Sequence, residues 1–307
     1  MFAGMAHAAS PYRLFDLALV RLCELTHSLS RLTFHGPDVS QMATHAPDQR
    51  IKIFFPDAAG RPAALPDRPD WYAVYRAMPP QTRPVMRTYT IRHLRPQAGE
   101  VDIDFVLHGE AGPASRWAIR ARPGDPVQFV APNRAHVGEV GGYEWKPTTG
   151  TRHVLLIADE TALPAVSGIL ESLAMQPSPP STQALIEVGD TDDIMDLPTW
   201  PQLDLAWLPR SQSTDGRPPM VAALHRARLP ATKAAAATNA LPDVDIESQI
   251  LWDLAAPDDA GFYAWIAGEA ASVLAIRHHL VTERGMDRRS LNLMGYWRRG
   301  RALADSL

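Results

Sequence analysis

The chain has 307 residues, 46% hydrophobic and 21% charged, which is enough for roughly two domains with cores of their own. The 30 basic and 34 acidic side chains leave a net charge of −4, without the basic excess of a general nucleic-acid binder, so no nucleic-acid partner is expected. A single cysteine, Cys23, excludes an internal disulfide framework and a cysteine-cluster metal site.

The opening MFAGMAHAAS lacks the basic start and long apolar core of a secretory signal. No apolar run reaches the length of a membrane span, so the reading is a cytoplasmic protein with no membrane partner. Residues 11–146 read mostly as strands. The run 50–55 is apolar and β-branched, and Pro56 ends it. Residues 56–70, rich in proline and aspartate, read as a loop. Segments 87–92 and 101–107 alternate polar with apolar residues, and Pro123-Gly124-Asp125 marks a turn before the strand-like 127–130. Short strands at this spacing predict a small antiparallel barrel.

The pattern changes after a junction at 146–152. Residues 153–158 read as a buried strand, and 162–175 as a helix. Strands are predicted again at 183–188, 204–208 and 262–267, then a helix over 269–283 and a strand at 291–295. Strands alternating with helices predict an open, largely parallel sheet. The segment 211–243, with its alanine run at 234–237, reads as a connection or a helix. The eleven histidines show no HExxH spacing, and the adjacent His278 and His279 point apart on a helix, so no protein-bound metal is expected.

Two constellations carry chemistry. In Arg87-Thr88-Tyr89-Thr90, strand alternation puts Arg87 and Tyr89 on one face and Thr90 on the other. Tyrosine can stack on a flat ring, arginine can grip a phosphate, and Thr90 can reach a ring nitrogen. The plain alternative is an ordinary surface strand. The second constellation is His108-Gly109 running into Gly112-Pro113-Ala114-Ser115-Arg116-Trp117-Ala118. Its glycines permit close backbone approach, its amides suit a pyrophosphate, and Ser115 adds a hydroxyl. Here the alternative is a proline-stabilised turn opening a short helix, with Trp117 as core.

Together these patterns resemble the siderophore-interacting protein family, the flavin-dependent ferric-siderophore reductases. The resemblance spans about residues 12 to 300. It takes in Tyr12-Arg13-Leu14-Phe15, Ile51-Lys52-Ile53-Phe54-Phe55-Pro56 and Asp102-Ile103-Asp104-Phe105-Val106-Leu107-His108-Gly109 in the first half. In the second half it takes in Ala158-Asp159-Glu160-Thr161-Ala162-Leu163-Pro164-Ala165, Ala267-Gly268-Glu269-Ala270 and Gly295-Tyr296-Trp297-Arg298. It implies a ferredoxin reductase-like, two-domain protein: an N-terminal FAD-binding antiparallel β-barrel (11–146) and a C-terminal NAD(P)H-binding α/β domain with a mainly parallel sheet (151–300). Arg87, Tyr89 and Thr90 would hold the FAD phosphate and ring, with His108, Gly109, Gly112, Pro113, Ala114, Ser115 and Trp117 on its phosphate and adenine side.

The second half has no GxGxxG, and Ala158 stands where members of the family commonly have glycine. The nucleotide site is expected at the carboxyl ends of the strands. Thr161 would cap the next helix, with Asp159 or Glu160 ordering the loop. Gly268, Glu269 and Ala270 form a second strand-to-helix turn. Arg210, after the third predicted strand of this half, is a candidate for a 2′-phosphate or a solvated side chain. Tyr296 and Trp297 either cover the flavin or pack the C-terminus. Ferric siderophores are often anionic, so Lys52, Arg134 and Arg298 are the candidate substrate-binding cations. The implied reaction passes electrons from NADH or NADPH through FAD to siderophore-bound Fe(III), releasing Fe(II), with no catalytic acid or base. The alternatives are a flavin reductase with another small-molecule or protein acceptor, and a non-catalytic siderophore binder. A monomer is the simplest expectation, with a small electron-transfer protein as the other donor.

Overall fold

Alternating apolar positions along the first half and unbroken apolar strands in the second produce two different kinds of sheet. The computed structural model describes residues 9–110, 112–214, 216–230, 250–256 and 261–300. Residues 231–243 of the segment read as a connection or helix, including the alanine run, lie outside the described residues. The described chain separates into two compact units, Met1–Tyr143 and Glu144–Leu307.

The first unit is a seven-stranded antiparallel sheet of β1 (Tyr12–Glu24), β2 (Leu29–His35), β3 (Arg50–Phe54), β4 (Met86–Thr90), β5 (His93–Arg95), β6 (Glu100–Val106) and β7 (Pro126–Pro132). The strand order is β4-β3-β7-β1-β2-β6-β5. Its two edge strands, β4 and β5, are consecutive in the chain, so the sheet must curl until its edges meet. The link between them ties to both sides: Ile91 N–H donates to the Gln49 carbonyl, and Arg92 N–H to the Asp102 carbonyl, each at 2.9 Å. The interior is filled by Phe15, Phe34, Phe105, Phe129 and their aliphatic neighbours. The predicted antiparallel barrel is thus present. Helix α1 (Trp71–Ala77) packs Tyr75 and Trp71 against Phe54 of β3, and helix α2 (Pro113–Arg120) packs Ala114, Trp117 and Ala118 against the interior cluster.

Strand β2 was not anticipated. Its inward residues are Leu32 and Phe34, and its outward Arg31 and Thr33 meet acids of β6 directly across the ladder. Arg31 grips Asp104 with two bonds of 2.7 and 2.8 Å. Thr33 donates to Asp102 at 2.8 Å, and Arg95 of β5 grips the same carboxylate. Burial alone would raise the Asp102 carboxyl, but Arg95 and Thr33 hold it down at about 2.

The second unit holds β8 (His153–Ala158), α3 (Leu163–Ala174), β9 (Ser181–Val188), β10 (Leu203–Pro209), α4 (Pro219–Ala222), β11 (Trp252–Asp253), β12 (Phe262–Glu269), α5 (Ala270–His278) and β13 (Leu291–Trp297). The sheet order is β10-β9-β8-β12-β13-β11, parallel except for the two-residue β11. The predicted helix over 269–283 is α for nine residues and finishes as a π turn, His279–Glu283. The chain runs outward from β8 in one direction to β10, then returns to β12 on the other side. The strand order therefore reverses between β8 and β12, which opens a crevice at their carboxyl ends.

Phe34 is fully buried and touches the rings of Phe105, Trp117 and Phe129. Phe34→Ala is expected to cost about 3–5 kcal/mol of stability, read from chemical denaturation followed by far-UV circular dichroism.

Candidate functional site

In the first unit, cross-strand pairing sorts the motif by face. Tyr89 lies opposite Ile51 and Arg87 opposite Ile53, while Thr90 lies opposite Arg50 and Thr88 opposite Lys52. Ile51 and Ile53 belong to the interior, so Arg87 and Tyr89 occupy that side at the barrel seam. Thr90 is buried on the other side. The Tyr89 ring lies 4.2 Å from Phe105 and is flanked edge-on by Phe55, which in turn packs on Trp117 at 5.1 Å. Burial raises the Tyr89 phenol above its ordinary value, so it stays neutral. The Arg87 guanidinium donates to the Met86 carbonyl at 2.7 Å, and no carboxylate among the described residues pairs with it.

Beyond β6 the chain turns through Gly109, whose φ of +72° excludes most side chains, and enters α2 at Gly112. A Cβ at either glycine would meet nothing within 4 Å, so the approach to the backbone is open. The Ser115 hydroxyl is not a free donor. It donates to the Gly109 carbonyl at 2.7 Å and accepts from the His108 N–H at 3.2 Å, which fixes the loop's shape. Trp117 belongs to the aromatic core beneath Tyr89, the plainer of the two roles the sequence offered. Pro113 opens α2, leaving the amides of Ala114 and Ser115 without intrahelical partners. A guanidinium spared from ion pairing, a supported ring and a glycine-flanked helix start fit a ligand with a pyrophosphate and a planar ring, as FAD is.

In the second unit, Asp159 sits at the reversal point, 1% exposed. Its Oδ1 accepts from the Thr161 N–H (2.9 Å) and hydroxyl (2.6 Å). Its Oδ2 accepts from the Glu269 N–H (2.8 Å) and the Trp297 indole (2.7 Å). This carboxylate therefore joins β8, the turn into α5 and the end of β13. Burial, and then Glu160, push it up to about 7. Gly268 makes the approach possible: at φ +157°, a Cβ there would stand 2.6 Å from Asp159 Oδ2. Glu269 caps α5, accepting from the amides of Ala271 and Ser272, and Ala270 is buried as its first residue. Thr161 spends its hydroxyl on Asp159 rather than on the helix.

Arg210 is only partly exposed, and its guanidinium is held by carboxylates of the same unit. Both its terminal nitrogens bond Glu160, at 2.6 Å each, and one also bonds Glu187 at 3.0 Å. Sequence reading missed Glu187, which lies inside an apolar strand pattern. It also missed Trp297 as a partner of Asp159, since 138 residues separate them.

The three candidate cations differ. Lys52, half-buried, donates to the Thr88 hydroxyl at 2.8 Å, and desolvation together with Arg50 lowers its amine to about 8. Strand alternation sets it on the face opposite Arg87 and Tyr89. Arg134 is exposed beside β7, and Arg298, in the second unit, is buried. Of the described residues, none form a group of three or more His, Cys, Asp or Glu that could hold a metal. No helix among them is long and apolar enough to cross a membrane.

Comparison with known proteins gives consistent matches. The family model of the siderophore-interacting FAD-binding domain matches residues 18–136, and that of the siderophore-interacting protein matches 151–300. The chain is 29% identical to the ferric vibriobactin reductase ViuB of Vibrio cholerae, over 94% of this chain and 90% of that protein. It is 31% identical to an uncharacterized protein of Mycobacterium tuberculosis, over 96% and 93%. A siderophore utilization protein from T. fusca has a similar structure, with a TM-score of 0.71, 26% identity and 96% of each chain covered.

Gly268→Ala should disrupt the Asp159 knot and lower stability by more than about 2 kcal/mol, measured by thermal denaturation. Because the folded Asp159 carboxyl is raised, its contribution is complete below about pH 4 and is lost as pH rises through about 7. Asp159→Asn should therefore flatten the fall in melting temperature across that window.

Proposed function

Since the chain belongs to the siderophore-interacting protein family, we propose that it is an FAD-dependent ferric-siderophore reductase drawing electrons from NADH or NADPH. The observation that carries this reading is the seam of the first barrel. There an arginine that no carboxylate among the described residues pairs with and a caged tyrosine ring stand on β4, and the open, glycine-flanked start of α2 supplies phosphate-binding amides. The first unit is the FAD-binding domain and the second the nucleotide domain, the division proposed being 11–146 and 151–300. A cytoplasmic monomer suits the reaction, which delivers Fe(II) in a reducing compartment.

Arg87 neutralises and grips pyrophosphate, and the Ala114 and Ser115 amides complete that cradle. Tyr89 offers a flat, neutral face, held in place by Phe105 and Phe55 so that little ordering remains to be done on binding. FAD, once bound, supplies the conversion of a two-electron hydride donation into single-electron deliveries. One nicotinamide thus reduces two ferric ions, and ferrous iron is released because it holds hard oxygen donors less tightly than ferric iron. Lys52 and Arg134 of the first unit serve as candidate cations for the anionic chelate. No side chain needs to move a proton to the iron.

The test is anaerobic absorbance on purified protein reconstituted with FAD. Flavin bleaching by NADH or NADPH, then reoxidation by a ferric siderophore with ferrous iron trapped, is the expected sequence. Failure to take up FAD overturns the reading. Arg87→Ala is expected to weaken FAD binding by about 10- to 100-fold, the loss of a charge-assisted bond. Affinity for an anionic ferric chelate should fall as pH rises through about 8, where Lys52 loses its charge. Lys52→Gln should remove that pH dependence in a titration of chelate binding.

A further inference from the structure

The nucleotide question turns on three side chains at the carboxyl edge of adjacent strands. Glu160 follows β8, Glu187 is the next-to-last residue of β9, and Arg210 follows β10. The parallel register brings these strand ends level: Ala158 pairs with Ile186, and Pro209 with Val188. In an open α/β sheet the adenosine ribose of a dinucleotide reaches the end of the second strand, here β9. A 2′-phosphate needs an available cation at that point, and a bare 2′-hydroxyl needs an acceptor.

Arg210 is the cation the sequence offers, and both its terminal nitrogens are engaged by carboxylates. One guanidinium faces two carboxylates, Glu160 and Glu187, so the trio carries one negative charge in excess. Glu187 is held in turn by the Met220 N–H at 2.9 Å, so it cannot swing away without leaving that amide unpaired. The Glu160 bonds raise the guanidinium further above its already high ordinary value. The turn after β9 adds more carboxylates. Asp190 is exposed, Asp193 is buried, and Asp190 accepts from both the Thr191 amide and hydroxyl. The Thr191 bonds hold the Asp190 carboxyl below the usual carboxylate range. The Ser211 N–H bonds the Gly189 carbonyl at 3.2 Å, which sets this acidic turn directly beside the Arg210 clamp. Arg217, further along the chain, lines a cavity with His225 and His278.

We propose that the electron donor is NADH and not NADPH: Asp190 receives the adenosine ribose hydroxyls, and the Glu160–Arg210–Glu187 clamp denies a 2′-phosphate its cation. This rests on the reading of the second unit as the nucleotide domain. A 2′-phosphate placed here would meet excess negative charge where NADPH sites present a free arginine.

The experiment is calorimetric titration of the FAD-loaded protein with ADP-ribose and with 2′-phospho-ADP-ribose, neither of which carries a hydride. ADP-ribose is expected to bind at least about tenfold more tightly. Glu160→Gln, which loosens the clamp, should narrow that ratio by strengthening the phosphorylated ligand. Asp190→Asn should weaken ADP-ribose alone. Equal or tighter binding of the 2′-phosphate, or both variants leaving both affinities unchanged, overturns the inference while the nucleotide domain stands. Binding of neither ligand, with neither NADH nor NADPH bleaching the flavin, overturns the donor reading and this inference with it.

Discussion

Four hydrogen bonds converge on one buried carboxylate, Asp159, and the working edge of the second unit is arranged around it. A parallel sheet whose strand order reverses must leave a gap between the two strands that diverge there. In this chain the gap is bridged by a buried carboxyl group rather than by apolar packing. Burying a carboxylate is costly unless its oxygens are satisfied, and here every bond comes from a donor: two amides, a hydroxyl and an indole. The requirement propagates outward. Residue 268 must lack a side chain, and Thr161 must spend its hydroxyl inward, which leaves the start of α3 without a side-chain cap.

The two units treat arginine in opposite ways. Arg87 meets no carboxylate among the described residues and rests against a backbone carbonyl. Arg210 is consumed by the protein itself. Nothing in residue type separates them. The difference lies in which carboxylates the topology brings alongside, and in the second unit those come from the ends of two neighbouring strands. Lys52 is intermediate: half-buried beside Thr88, it keeps its ammonium only below about pH 8.

How much was legible follows from whether a signal is local. The apolar strands of the second unit, their helices and the proline-ended run at β3 are each announced within a few residues, and the two-sheet architecture came from those. The faces of Arg87, Tyr89 and Thr90 follow from strand alternation alone. Strand β2 was hidden because its outward Arg31 and Thr33 look like loop residues until Asp102 and Asp104 are placed opposite them. That complementarity of alternating acids on one segment and alternating donors on another was a usable signal. The commitments of Ser115 and Arg210 were not local. A hydroxyl beside a glycine turn looks like a ligand donor whether or not the turn's own carbonyl takes it.

The position of β7 in the first sheet has a consequence for how the protein is made. This strand pairs with both β1 and β3, so the last strand of the unit to be synthesised lies in the middle of the sheet. Until the ribosome has delivered residues 126–132, β1 and β3 each expose an unpaired edge, and the interior phenylalanines lack Phe129. Such non-local closure is slow, and its precursor is prone to aggregate. The first half of this chain therefore passes through synthesis as an open, sticky sheet, and becomes a barrel only when its final strand slots into the centre.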